Sequence, residues 1–121
     1  MITDIIREIQ EWNDERGNYT YDRYLEGEML EEELGEYALA SMMPNDLVDE
    51  ADALADIIFV AVGSLYKLCG NDKIKFDSIM TAVTACNNLK GKTKDANGKV
   101  SKPEGFEGPE KMIAKVLFYE G

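Results

Sequence analysis

Along most of this chain the apolar residues recur at the period of an α-helix, and strand-like alternation is poor throughout. Ile2, Ile5, Ile6, Ile9 and Trp12 fall at i, i+3, i+4, i+7 and i+10, a stripe that ends before Gly17. From about Asp22 to Met43 the positions Leu30, Leu34, Tyr37, Ala38 and Ser41 keep the same period, and Pro44 breaks it. Asn45 or Asp46 can cap a third helix that runs to about Leu68, where Gly70 and Asn71 stop it. Asp72 can cap a fourth, on which Ile74, Phe76, Ile79, Met80, Val83 and Ala85 are spread among polar residues. Pro109 suits the first position of a last short helix, PEKMIAKVLFYE. These spacings predict an all-α fold of four to five helices. At 121 residues the simplest organisation is a single domain spanning 1–121, with a core too small to divide.

Composition narrows the chemistry. The formal net charge of -11 argues against binding a phosphate backbone with the whole surface, so nucleic acid is not an expected partner. There is no histidine, which removes imidazole bases, Ser-His pairs and His-ligated zinc. Cys69 and Cys86 lie in apolar-periodic stretches and are not closely spaced, as expected of reduced, buried thiols in a cytoplasmic protein. MITDIIREIQEW lacks the continuous apolar segment of a signal peptide. The longest apolar run, Ile57 to Val62, falls far short of the ~20 residues of a membrane span. A soluble protein with no membrane partner is expected.

Carboxylates must therefore carry any chemistry, and they are grouped. In DEADALADIIFVAVG, residues 49–63, Asp49, Asp52 and Asp56 share an arc of roughly 60° on a helical wheel. On the preceding helix, Glu32, Glu33 and Glu36 fall within roughly 100°, with Glu36 between the other two. No Lys or Arg occurs from Leu25 to Tyr66, so no i+4 cation relieves the repulsion. Asp56 also opens onto IIFVAV, an interior segment, and a buried charge needs a partner. The economical partner is a divalent cation held between two helices, and hard oxygen ligands suit Mg²⁺ or Mn²⁺.

After Leu89 the texture changes to KGKTKDANGKVSKPEGFEG, a long loop in which Lys90, Lys92, Lys94, Lys99 and Lys102 are crowded. Beside an acidic metal site such lysines make sense as a clamp for phosphate oxygens. Two other likenesses carry nothing. DEAD at Asp49 to Asp52 sits in a chain too short for a helicase core, and GKT at Gly91 to Thr93 has Cys86 where a Walker A loop needs its first glycine.

The chain resembles the all-α nucleoside triphosphate pyrophosphohydrolases: MazG-like proteins, phosphoribosyl-ATP pyrophosphohydrolases and dimeric dUTPases. Their signature is EExxE on one helix followed by ExxD on the next. EELGE, Glu32 to Glu36, matches the first part in full. NNLK at Asn87 to Lys90 and GKVSKPEGF at Gly98 to Phe106 resemble the tail of the phosphoribosyl-ATP branch, and EWNDERG resembles the opening of MazG-like proteins. One position departs: Ala53 stands where ExxD would put a glutamate before Asp56, and Asp52 or Asp49 would substitute. This DALAD spelling is similar to that of phage-type members.

What the resemblance implies is a Mg²⁺-dependent hydrolase acting between the α and β phosphates of a nucleoside triphosphate. Glu32, Glu36 and Asp56 would hold the metal with Asp52 as fourth ligand. Glu33 would be a further ligand or the base that orients the attacking water. Asn87, Lys90, Lys99 and Lys102 would contact the phosphates, and the working unit would be a dimer or tetramer. The reading from another class is a non-catalytic helical module that binds metal or a basic partner.

Overall fold

A computed structural model describes residues 1–43 and 47–118. Five helices follow in order: α1 (Ile2–Glu15), α2 (Arg23–Met42), α3 (Leu47–Leu68), α4 (Lys73–Asn88) and α5 (Glu110–Phe118). The described residues contain no strand, only an isolated antiparallel bridge between Lys94 and Val100. The all-α expectation holds. The break expected at Pro44 and the caps expected at Asn45 or Asp46 lie outside the described residues, as does the end of the last helix beyond Phe118.

The chain groups into two compact units, Met1–Asp72 and Lys73–Gly121. The first is built around α3, with α1 and α2 both packed against it. Asp22 caps α2 by accepting from the backbone N–H groups of Tyr24 (3.0 Å) and Leu25 (3.4 Å). The helices α1 and α3 stop in the same way. Gly17 and Gly70 take φ of +68° just past each helix, and their N–H groups turn back to the carbonyls of Asp14 and Lys67. Asn18 and Asn71 then bond to Asn13 and Tyr66, which closes a Schellman cap on each helix.

Those two ends are tied together. The Tyr66 hydroxyl donates to Asp14 Oδ2 at 2.8 Å, and Asn71 Nδ2 donates to Asp14 Oδ1 at 2.9 Å and to the Asn18 carbonyl at 3.0 Å. Burial first, then the hydrogen bond to Asp14 and its charge, push the Tyr66 phenol well above its usual range. Higher up the pair, a Cβ on Gly63 would meet Asn13 Nδ2 at 3.1 Å, so glycine there lets the two helices approach. Trp12 packs edge-on against Phe59 with ring centroids 5.1 Å apart.

The inner face of α2 differs from the one its apolar spacing suggests. Leu34, Ala38 and Ser41 are exposed, while Glu26 is buried and Met29, Leu30, Glu33, Tyr37 and Ala40 are half-buried. The reason is polar: Glu26 turns into the α2–α3 seam, where its Oε1 receives the Lys67 ammonium at 2.5 Å and the Ser64 hydroxyl at 3.0 Å. An inward carboxylate is invisible to a search for apolar residues, so the stripe is rotated from where leucines alone would put it.

In the second unit α4 and α5 pack together, with Phe76, Ile79 and Ala82 buried. Pro109 stands immediately before α5 and its carbonyl accepts from Ile113, so it caps the helix and is not its first residue. The segment between these helices folds back on itself. Gly91 N–H donates to Ser101 O, Ser101 N–H to Thr93 O, and Asp95 N–H to Lys99 O at 2.7 Å. Asp95 Oδ1 accepts from the N–H groups of Asn97 and Lys99, and Gly98 takes φ +80° in the turn. No single helix among the described residues is long and apolar enough to cross a membrane.

Candidate metal centre

Two pairs of partners fix how α2 and α3 run. Glu26 meets Ser64, and Glu33 lies beside Asp56, so seven residues forward on α2 correspond to eight residues backward on α3. The helices are therefore antiparallel, and two turns separate the Glu26–Lys67 pair from the acids at Glu33. EELGE places Glu33 on the inner side of α2 and Glu36, one turn on, at its margin.

One carboxylate oxygen from each of Glu33, Glu36 and Asp56 lies within 4.8 Å of the other two. Glu33 and Asp56 are half-buried and Glu36 is exposed. Glu33 Oε2 is buried and no donor reaches it. Burial, the charges of Glu36 and Asp56, a hydrogen bond with Glu36 and the charge of Glu32 all raise the Glu33 carboxyl above its ordinary value. Lys67, a cation in the same helix seam, is already held by Glu26.

The arrangement fits a divalent cation on its own terms. Three convergent carboxylates, one with an orphaned buried oxygen, form an all-oxygen donor set of the kind that Mg²⁺ or Mn²⁺ takes. Of the five acids expected from the sequence, the structure brings together Glu33, Glu36 and Asp56. Glu32 and Asp52 are exposed and fall outside the mutually close set. Ala53, at the position where the resemblance calls for a glutamate, is buried in the seam. The acids that gather do so because α2 packs on the Ala53, Asp56 and Ser64 side of α3.

A model of the phosphoribosyl-ATP pyrophosphohydrolase family matches residues 2–87. The chain belongs to that family. Family membership places it among the MazG-like all-α nucleoside triphosphate pyrophosphohydrolases, hydrolases of phosphoric anhydrides that use a divalent metal. No curated protein matches the chain. The family match includes all three gathered acids and crosses the boundary between the two compact units. It ends at Asn87, so Lys90, Lys99 and Lys102 lie beyond it.

The four residues expected at the phosphates all belong to the second unit. Asn87 lies at the end of α4, where its Nδ2 donates to the Val83 carbonyl of the same helix at 3.0 Å. Lys90 is half-buried, and Lys99 and Lys102 are exposed. Lys90 and Lys102 each place their Nζ 5.9 Å from the centre of the Phe106 ring, so one aromatic side chain gathers two of the cations. Sequence reasoning missed that role for Phe106, although its place directly after KPEG was the available signal. It also missed Glu26, seven residues before Glu33 and hence on the same helical face.

Proposed function

We propose that this protein is a Mg²⁺-dependent nucleotide pyrophosphohydrolase that splits a nucleoside triphosphate or related nucleotide between its α and β phosphates. The products are a nucleoside monophosphate and pyrophosphate. The observation that carries this reading is the convergence of Glu33, Glu36 and Asp56 across the α2–α3 seam of a chain that belongs to this family. Mn²⁺ satisfies the same donors.

Glu36 and Asp56 would hold the metal together with Glu33. When bound, the metal lowers the pKa of a coordinated water and neutralises charge on the departing pyrophosphate. Glu33 has the further task of orienting the attacking water: its raised pKa suits a carboxylate that takes a proton, and Oε2 is free to accept one. Glu32 and Asp52 act from outside the donor set by adding negative charge that draws the cation in. Lys90, Lys99 and Lys102 supply the cations for phosphate oxygens, and the Asn87 amide contributes a polar contact. We take residues 1–121 as one functional domain, since the family match spans both compact units. The working assembly is a dimer or tetramer in a reducing cytoplasm, in keeping with two free cysteines.

The test is to incubate the purified protein with Mg²⁺ and a panel of ribo- and deoxyribonucleoside triphosphates, dUTP and phosphoribosyl-ATP, and to separate the products by chromatography. Monophosphate and pyrophosphate, abolished by EDTA, is the expected result. Diphosphate and phosphate would overturn the α–β cleavage, and no turnover on any member would favour a metal-binding module without catalysis.

A further inference from the structure

The tip of the lysine hairpin runs Asp95, Ala96, Asn97, Gly98, Lys99, so an asparagine directly precedes a glycine. Every residue from 91 to 100 is exposed. Gly98 takes φ +80° and nothing lies within 4 Å of where its Cβ would stand, so neither a side chain of its own nor packing from elsewhere crowds its backbone. Asn97 also differs from the other asparagines. The side-chain amides of Asn13, Asn18, Asn71 and Asn87 donate to Ile9 O, Asn13 Oδ1, Asp14 Oδ1 and Val83 O. Asn88 is the last residue of α4 and precedes Leu89. At Asn97 the backbone N–H donates to Asp95 Oδ1 at 2.8 Å, and among the described residues the side-chain amide has no partner.

We propose that Asn97 is a site of spontaneous modification, deamidating through Gly98 to isoaspartate, and that the change dismantles the lysine hairpin. The Gly98 amide nitrogen, on losing its proton, bonds to Asn97 Cγ. The Cγ–Nδ2 bond breaks, Nδ2 leaves as ammonia, and a cyclic succinimide remains. Water then adds to one of the two ring carbonyls and opens the ring. Opening at the former main-chain carbonyl gives isoaspartate, and opening at Cγ gives aspartate. The net change is one water consumed and one ammonia released, with no change of oxidation state. Lys94 and Lys99 flank the turn, and their positive charge favours the deprotonated nitrogen. One bond stands against the attack: Gly98 N–H donates to the Asp95 carbonyl at 3.0 Å, so the turn must open first. Opening costs little where a hairpin is held by a few exposed bonds and none of its residues from 91 to 100 is buried.

The consequence follows from where the extra atom enters. Isoaspartate routes the main chain through the former side chain and adds a methylene between positions 97 and 98. The bonds that close the turn, Asp95 N–H to Lys99 O at 2.7 Å and Lys99 N–H to Asp95 Oδ1 at 3.0 Å, both span that insertion and lose their register. The new carboxylate also stands two residues from Lys99 and three from Lys94, where it offsets their charge. The chemical step is independent of the proposed function. Its effect on substrate rests on that reading, in which Lys99 and Lys102 meet the phosphates.

The test is to age the purified full chain in warm, mildly alkaline buffer, digest it, and follow the peptides by mass spectrometry with chromatographic separation of aspartate from isoaspartate. The peptide holding Asn97 should gain the mass of an amide-to-acid exchange at least about tenfold faster than the one holding Asn87 and Asn88, with isoaspartate in excess. Hydrogen exchange should show the amides of Asp95, Lys99 and Ser101 losing protection in aged wild type and keeping it in aged Asn97→Gln, whose longer side chain closes the ring poorly. KM for the nucleotide should rise about threefold or more in the aged wild type alone. Conversion at Asn97 no faster than at Asn87 or Asn88 would overturn the site. Conversion with the hairpin amides still protected would overturn its structural effect. A lost hairpin with unchanged KM would overturn the phosphate role given to Lys99 while the modification stands.

Discussion

The Lys67 ammonium meets the buried Glu26 carboxylate at 2.5 Å inside the seam that also positions Glu33 against Asp56. This pair fixes the register of α2 on α3 from a point two turns below the acids. Removing one partner leaves the other charge buried and uncompensated, which costs about 3–5 kcal/mol, far more than loss of a surface ion pair. Lys67→Met is therefore expected to destabilise the fold by that amount in urea unfolding. Glu26→Leu combined with Lys67→Met should recover most of the loss, because no orphaned charge remains. A Lys67→Met cost below about 1 kcal/mol would show that the pair is solvated and does not set the register.

The acids themselves are expected to behave oppositely for stability and for activity. Glu33, Glu36 and Asp56 repel one another when no cation is present, so Glu36→Gln and Asp56→Asn should each leave the melting temperature in EDTA unchanged or higher. With Mg²⁺ and nucleotide, each should lower kcat/KM at least about a hundredfold, roughly 2.7 kcal/mol of transition-state stabilisation. Asp52→Asn, which alters an exposed acid outside the set, should cost less than about tenfold. Equal losses for Asp52→Asn and Asp56→Asn would place Asp52 among the ligands. The added melting temperature from saturating Mg²⁺ should vanish in Asp56→Asn, a readout independent of turnover.

Much of this fold was legible because helices announce themselves by period and by their ends. Gly17 follows the end of α1, and Gly70 with Asn71 terminates α3, as their residue types foretold. What the pattern could not supply was direction around the helix wherever a polar residue faces inward. Glu26 and Glu33 occupy positions on α2 that a reader of apolar periodicity gives to Leu34 and Ala38. Likewise the wheel groups Asp49, Asp52 and Asp56 in one arc, and only the packing of α2 decides that Asp56 is the one that joins the glutamates. The lysine segment looked aperiodic, yet the DANG turn at Asp95–Gly98 closes a small hairpin through side-chain and backbone bonds that periodicity does not encode.

The raised Glu33 pKa gives a pH dependence with a definite sign. A carboxyl raised above its ordinary value of 4.5 keeps a proton in the folded state that the unfolded chain has lost. Its favourable contribution is complete below that ordinary value and is lost as pH rises through the folded value. In EDTA the melting temperature should accordingly fall as pH rises from 4.5 through this window, and Glu33→Gln should flatten that part of the profile. Mg²⁺ competes with the proton for the same oxygen atoms, so its stabilising effect should grow toward neutral pH. An unchanged profile in Glu33→Gln would assign the dependence to another group.

Phe106 offers the remaining test, because it touches two of the proposed phosphate-binding lysines without being able to bind phosphate itself. Its ring lies 5.9 Å from the Nζ atoms of both Lys90 and Lys102, a spacing at which the ring face still attracts a cation. Phe106→Leu keeps apolar bulk but removes that attraction, and the two lysines lose their shared anchor. If they grip the phosphates of bound substrate, KM for the nucleotide should rise about threefold to tenfold while kcat changes less, a loss of uniform binding worth roughly 0.7–1.4 kcal/mol. Phe106→Tyr retains the ring and should restore the wild-type KM. Lys90→Ala and Lys102→Ala should raise KM further and should make it insensitive to Phe106→Leu. A rise that persists in Phe106→Leu after both lysines are gone would mean the ring acts on the substrate directly and not through them.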